Sequence, residues 1–372
     1  MELDQAKKRF GFGCMRLPMK DEQVDMEQFI QMVDAFIENG FNYFDTAHGY
    51  LNGLSEKALK VALTSRYPRD KYLLTNKLTD SYFRCEEDIV PFFESQLEIC
   101  GVDYFDFYLM HAQNRSNFQH YKRCRAYETA FELKRQGKIR HVGLSFHDTA
   151  DILDQILTEY PEIEVVQIQF NYLDYDSDSI QSKRCYDVCV KHGKPIIVME
   201  PVKGGTLVNL PPKAKEILDA VGTGSYASYA VRFALHYPQI AMVLSGMSSI
   251  EQMNDNISST KDYRDLSDEE MAAIVKVREY YNSLAAVQCT HCSYCIEQSH
   301  CPKDILIPEV FAAYNGKISF HEWTADGLYR RHVIVGHGKA SDCIKCGACE
   351  RVCPQHLHIR ELLEKAAEVF GE

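Results

Sequence analysis

Long hydrophobic runs are missing from this 372-residue sequence. A helix that crosses a bilayer needs roughly 20 consecutive apolar residues, and no run here approaches that length. The opening stretch, MELDQAKKRFGFG, has no apolar segment ahead of a small-residue cleavage site, so nothing in it directs the chain to secretion and a cytoplasmic location is expected. Surplus basic charge is missing as well. With 41 Lys and Arg against 53 Asp and Glu, a net charge of −12, the chain lacks the clustered cations of a nucleic-acid or anionic-membrane surface. Low-complexity tracts are absent, and 45% apolar with 25% charged residues is ordinary for a globular protein. At this length one large domain with a smaller one is the natural expectation.

Cysteine, by contrast, is plentiful: there are 14, and eight of them fall in the last 84 residues. The cytosol keeps thiols reduced, so a disulfide framework is not expected. Cys14, Cys85, Cys100, Cys124, Cys185 and Cys189 are scattered and read as small apolar fillers; Cys185 and Cys189 share a helix face but have no partner nearby in the sequence. The terminal eight are patterned. Cys289, Cys292, Cys295 and Cys301 follow C-x2-C-x2-C-x5-C-P, and Cys343, Cys346, Cys349 and Cys353 follow C-x2-C-x2-C-x3-C-P. Zinc sites pair two C-x2-C knuckles across a spacer of about a dozen or more residues, whereas three cysteines within seven positions and a fourth before proline is the pattern of bacterial 4Fe-4S sites. In two-cluster ferredoxins the fourth cysteine of one run ligates the other cluster. The expected sets are therefore Cys289, Cys292, Cys295 with Cys353, and Cys343, Cys346, Cys349 with Cys301. Between the runs, IPEVFAAYNG and HEWTADGLYRRH look helical, so the tail is expected to be a mainly helical ferredoxin-like domain.

Ahead of the tail, strand-like runs alternate with amphipathic stretches. FGFGCMRL, FNYFDT, YLLTNK, YFDFYLMH, IRHVGLS, VVQIQFN, PIIVME and IAMVLSG are short, β-branched or aromatic, and bounded by turn residues. MEQFIQMVDAFIENG and EEDIVPFFESQLEICG read as helices closed by Gly40 and Gly101. Eight β/α repeats in about 260 residues suit a closed (β/α)8 TIM barrel. A Rossmann-like sheet would need a glycine fingerprint after its first strand, and GFGCMR is a poor match. SDEE opens a further helix through a capping box of Ser267 and Glu270, running to about Leu284. The expected domains are 1–284, the barrel, and 285–372, the 4Fe-4S ferredoxin-like module.

The chemistry of such a barrel sits where strands end. Asp45 ends the second run, with Tyr50 five residues on; Lys77 ends the third and His111 the fourth. Singly, each has an ordinary reading as a cap, a solvated cation, a core imidazole or a loop aromatic. Together they are what carbonyl reduction asks for. A hydride arriving at a carbonyl carbon leaves an alkoxide that needs a proton, and a phenol of pKa about 10 is a poor donor at neutral pH unless neighbours tune it. A buried ammonium lowers that pKa, a carboxylate fixes the ammonium, and an imidazole can hold the carbonyl oxygen.

On these residues the sequence resembles the aldo-keto reductases: FDTAHGY, TNK and LMH stand in the order and spacing of that family's Asp, Tyr, Lys and His, within a resemblance covering roughly residues 8 to 260. The resemblance implies Tyr50 as proton donor, Lys77 and Asp45 as its tuning pair, His111 as substrate orienter and a nicotinamide cofactor as hydride source. It also implies nicotinamide contacts at Ser145 and Gln169, with Phe146 where the family has Asn, and Met199 in place of a stacking aromatic. In EPVKGG, Pro201, Lys203, Gly204 and Gly205 would approach the pyrophosphate. In SGMSSIEQMNDNI, Ser245, Gly246, Ser248, Ser249, Gln252 and Asn256 resemble the adenosine-phosphate segment. Gly246 and Gln252 occupy the places where many relatives aim Lys and Arg at the 2′-phosphate, so NADP and NAD both remain open.

The whole chain is similar to a branch of aldo-keto reductases with a C-terminal 4Fe-4S domain. The substrate implied is a small carbonyl or alcohol, and a ferredoxin-type protein is a candidate electron partner. Nicotinamides move two electrons as hydride and each cluster moves one, so coupling them calls for a carrier such as a flavin, although no flavin motif is present. The alternatives are an electron-transfer or redox-sensing protein whose barrel does not turn over substrate, and a barrel whose clusters are structural.

Overall fold

Eight strand-like runs of the sequence become the strands of one closed sheet in the computed structural model, which describes residues 3, 5–177, 180–222, 224–284, 286–318 and 325–372. They are β1 (Phe10–Gly13), β2 (Tyr43–Asp45), β3 (Leu73–Leu78), β4 (Phe105–Gln113), β5 (Ile139–Phe146), β6 (Val165–Gln169), β7 (Ile196–Met199) and β8 (Ile240–Gly246). All pair in parallel with their sequence neighbours, and β8 closes the ring on β1. Closure abolishes sheet edges and answers the choice of fold class in favour of the (β/α)8 barrel. The first strand is shorter than its run: it ends at Gly13, and Met19–Lys20 pairs antiparallel with Gln23–Val24 in a small hairpin beyond it.

Side chains alternate across a strand, so one inward residue fixes the others. Tyr43, Leu73, Phe107, Leu109, Val165 and Ile197 belong to the buried cluster that fills the barrel. Counting on by twos from them brings Asp45, Lys77, His111 and Gln167 to the same inner face at the C-terminal ends of their strands. The barrel's interior thus changes from apolar to ionisable along its axis.

Two compact units divide the chain as residues 1–202 with 224–267, and 203–223 with 268–372. This differs from a boundary near 285, a position that lies outside the described residues. The helix Asp268–Ser283, which begins where the capping box placed it, packs on the helix Pro212–Asp219, and the Tyr281 hydroxyl donates to the Thr206 carbonyl at 3.3 Å. The second unit has its own core, including Val310, Phe311, Leu363 and Phe370 from the helices Ile307–Ile318 and Ile359–Phe370. Its helical character matches the expectation for IPEVFAAYNG; of HEWTADGLYRRH, residues 321–324 lie outside the described residues. No helix among the described residues is long and apolar enough to cross a membrane.

Candidate functional site

Lys77 is completely buried, and its ammonium is held from two sides: Nζ donates to Asp45 Oδ1 at 2.6 Å and to the Thr46 carbonyl at 2.8 Å. Tyr50 opens the short turn Tyr50–Gly53 after β2, and Lys77 Nζ stands 4.8 Å from the centre of its ring. The His111 ring meets that of Tyr50 edge-on at 6.0 Å between centres, and its Nδ1 is hydrogen-bonded to Thr79 Oγ1 at 2.6 Å. The four residues singled out at strand ends and in the following loop are thus brought together.

Burial dominates their electrostatics. It pushes the Tyr50 phenol well above its ordinary range, with Asp45, Cys14 and Glu200 adding to the rise. Burial lowers Lys77, against the pull of Asp45, and holds His111 well below the usual imidazole value, with Lys77 and His147 adding to the effect. The sequence argument had the ammonium drawing the phenol down. In the folded site desolvation and the Asp45 carboxylate outweigh it, because both penalise a phenolate. Tyr50 is a protonated phenol here and His111 a neutral imidazole.

Two features escaped the sequence reading. Gln167 on β6 donates to Asp45 Oδ2 at 3.1 Å, fixing the carboxylate oxygen that Lys77 does not use. The signal was its parity with Val165. Behind β3, fully buried Glu56 is bonded by His48 Nδ1 at 2.8 Å and accepts from Asn76 Nδ2 at 2.7 Å and Gln96 Nε2 at 3.3 Å. Asn76 Oδ1 in turn accepts from the backbone N–H of Lys77 at 2.9 Å. This network ties the loop before Tyr50 to the end of β3.

The residues expected at a nucleotide fall in two places. At the end of β5, Ser145 Oγ accepts from the Ala112 N–H at 2.8 Å, and at the end of β6 Gln169 donates to Asp174 at 2.6 Å. Met199 ends β7, followed by Glu200 with φ 55° and by Pro201. After β8, Ser249 caps the helix Ile250–Thr260 and accepts from the Gln252 N–H at 3.3 Å, while Gln252 accepts from the Ser248 N–H at 2.8 Å. Asn256 donates to Ser245 Oγ at 3.3 Å, and its buried Oδ1 has no hydrogen-bond partner among the described residues. Gly246 is exposed at the strand end. Lys203, Gly204 and Gly205 belong to the second unit instead. Lys203 is buried, and a Cβ on Gly204, whose φ is 62°, would come within 2.0 Å of the Thr290 carbonyl. That contact alone requires glycine at 204.

The eight terminal cysteines line two cavities. Cys289, Cys292, Cys295 and Cys353 line one, and Cys343, Cys346, Cys349 and Cys301 line the other. Both runs turn alike: His291 and Ser293, then Lys345 and Gly347, have positive φ, and each pair leads into a single helical turn carrying Cys295 or Cys349. Burial pushes the Cys289 thiol up to about 12 and that of Cys349 to about 11, so the thiolates call for a cationic core to offset them. The six scattered cysteines carry no disulfide; five are buried and Cys85 is exposed.

Residues 9–279 match the Aldo/keto reductase family. The chain belongs to that family. Residues 288–358 match a 4Fe-4S dicluster domain, so this aldo/keto reductase is an oxidoreductase carrying an iron-sulfur module. Among curated relatives it is 25% identical to the uncharacterised oxidoreductase YqkF of Bacillus subtilis, over 71% of this chain and 90% of that protein. It is 24% identical to L-galactose dehydrogenase of Arabidopsis thaliana, over 69% and 85% respectively. Among solved structures it resembles an aldo-keto reductase from Klebsiella pneumoniae in complex with NADPH: TM-score 0.60, 22% identity, 73% of this chain and 90% of that one. The holo form of AKR11C1 from Bacillus halodurans also gives 0.60, at 24% identity over 74% and 96%.

Proposed function

We propose that this aldo/keto reductase reduces a small carbonyl compound, or oxidises the matching alcohol, at the mouth of its barrel. The observation that carries the reading is the buried Lys77–Asp45 pair beside Tyr50 and His111. A bound NADP or NAD would supply or accept the hydride. Tyr50, held as a neutral phenol, gives its proton to the oxygen on which negative charge develops, and Lys77 beneath the ring stabilises the phenolate left behind. We assign the tautomer in which the Thr79 hydroxyl donates to Nδ1, so that neutral His111 carries its own proton on Nε2 and orients the substrate oxygen through it. Gln167 and the Thr46 carbonyl keep the Asp45–Lys77 pair in register.

Ser145, Gln169 and Met199 would hold the nicotinamide half, and Ser245 to Asn256 the adenosine half. The fit is supported by the orphaned Asn256 Oδ1, a buried acceptor suited to an exocyclic amine. In the second unit each four-cysteine cavity would hold one 4Fe-4S cluster, supplying one-electron transfer. The donor set supports this reading: three thiols of one short run and the crossing cysteine of the other line each cavity. Cys346 is exposed and Ile344 beside it is 56% exposed, which favours this set as the one an electron-carrying partner reaches.

The test is NADPH oxidation by the full-length protein with a panel of aldehydes and ketones, comparing wild type with Tyr50→Phe. The expected result is a loss of about 100-fold or more in kcat with nucleotide binding unchanged. Equal turnover by the two proteins would remove Tyr50 as proton donor and the reading with it.

A further inference from the structure

We infer that Lys303 and Arg360 make the second four-cysteine site the one of higher reduction potential, so that an electron held by the tail rests with Cys343, Cys346, Cys349 and Cys301; the inference rests on the four-cysteine sites proposed above. The two cavities have the same donors and different surroundings. Besides its thiols, the cavity of Cys289, Cys292, Cys295 and Cys353 is lined by uncharged side chains, among them Ile307, Phe311 and Gln355. The cavity of Cys343, Cys346, Cys349 and Cys301 is lined by two cations, Lys303 and Arg360. Four thiolates around an iron-sulfur core leave it anionic, and reduction adds one further negative charge without making or breaking a bond. A cation in the wall stabilises the reduced form more than the oxidised one and raises the potential, whereas a nearby carboxylate or deeper burial lowers it.

The neighbouring charges decide the sign. Lys303 is exposed and makes no ion pair among the described residues, so its charge is not offset. Arg360 Nε donates to Glu350 Oε2 at 2.8 Å. That carboxylate, next to Cys349 in sequence, offsets part of the arginine's effect, yet the guanidinium lines the cavity and the carboxylate does not. Lys345, between Cys343 and Cys346, is paired with Glu364 and adds little. At the first site the nearby charge has the other sign. Glu309 follows Pro308, which lines that cavity, and its buried Oε2 has no hydrogen-bond partner among the described residues. It stands close enough to Cys289 to add to the rise that burial and the neighbouring thiols impose on that thiol. Exposure acts in the same direction, since Cys346 is exposed and none of Cys289, Cys292, Cys295 and Cys353 is. Ile307, 1% exposed, lines both cavities and forms a common wall. An electron that reaches the first site therefore runs on to the second, where Cys346 meets the surface, and the tail passes electrons outward.

The experiment titrates the iron-loaded full-length protein with dithionite in the presence of redox mediators, following the electron paramagnetic resonance signal, in wild type, Lys303→Gln, Arg360→Gln and Glu309→Gln. Wild type is expected to reduce in two one-electron waves, the second site favoured about tenfold or more over the first, which is a separation of about 59 mV or more. Lys303→Gln and Arg360→Gln are each expected to lower the upper wave and leave the lower one in place, Arg360→Gln more so because it also leaves Glu350 unpaired, while Glu309→Gln raises the lower wave. A single wave in wild type, or cation variants that move the lower wave or neither, would overturn the inference. Iron content is measured for each protein. Should Arg360→Gln lose iron, Lys303→Gln decides, because its side chain holds no partner in place. Wild type that takes up iron and sulfide without any such signal would instead overturn the four-cysteine sites themselves.

Discussion

Tyr50 is held protonated by its surroundings, and the proposed carbonyl reduction would consume that proton, so charge near the phenol would set the alkaline limit of the reaction. A group whose folded pKa is raised stays protonated to higher pH, and reduction falls only as the pH climbs through the raised value. Glu200 is among the charges that raise it. In Glu200→Gln the phenol's pKa falls, and the descending limb of kcat against pH, measured at saturating nucleotide, is expected to move to lower pH. A limb that stays in place or moves up would show that Glu200 does not act on the proton donor. Gln167 makes a second case. Losing one hydrogen bond to a charged group costs about 1.5–3 kcal/mol, so Gln167→Leu, which frees Asp45 Oδ2, is expected to cut kcat about tenfold while leaving the nucleotide Kd unchanged. Asp45, Lys77 and His111 were legible in the sequence because ionisable groups ending three apolar runs are conspicuous. Gln167 was not, since a glutamine inside VVQIQ looks like any polar position until the inward parity of Val165 is known. The sign of the Tyr50 shift was also hidden: the letters give the neighbours' charges but not the desolvation that outweighs them.

The two cysteine runs are one local structure made twice. In each, a residue of positive φ precedes the second cysteine and another follows it, after which a single helical turn carries the third. The second run meets this demand with Gly347 at φ 71°, whereas the first places Ser293 at φ 63°. A non-glycine residue there costs about 1–2 kcal/mol, so Ser293→Gly is expected to stabilise the iron-loaded protein by about 1 kcal/mol, read as a higher midpoint of thermal loss of the cluster's visible absorbance. A lower midpoint would mean that the serine hydroxyl matters more than the strain. The spacing made the runs recognisable, because three thiols within seven residues can only wrap a compact object. Strand ends were less legible: FGFGCMRL reads as one strand, yet pairing stops at Gly13, and the Cys14 N–H bonds to the Asp45 carbonyl at 2.8 Å as the chain turns.

For the molecule as a whole, long-range contacts rule. The segment 203–223 follows a barrel strand in sequence but shares its contacts with the tail, which no local pattern announces. Because the Gly204 backbone rests on the Thr290 carbonyl, removing iron with a chelator is expected to raise amide exchange at Lys203–Gly205 together with residues 289–295, leaving β1 to β8 unchanged. Exchange confined to the cysteine loops would contradict that linkage. The crossed cysteines give the strongest test at this scale. Cys353 lies with the first run's three thiols and Cys301 with the second's, so each cavity draws on both ends of the tail. If each cavity holds one cluster, Cys353→Ser must damage the same cluster as Cys292→Ser, and Cys301→Ser the same one as Cys346→Ser, because a cluster stripped of one thiolate is the one that loses iron or changes its spectrum. Each single variant is expected to keep roughly half the iron of wild type, and the electron paramagnetic resonance signal that survives on reduction should be shared within those pairs. Shared signals between Cys301→Ser and Cys292→Ser would show that each run keeps its own fourth cysteine and would overturn the crossing.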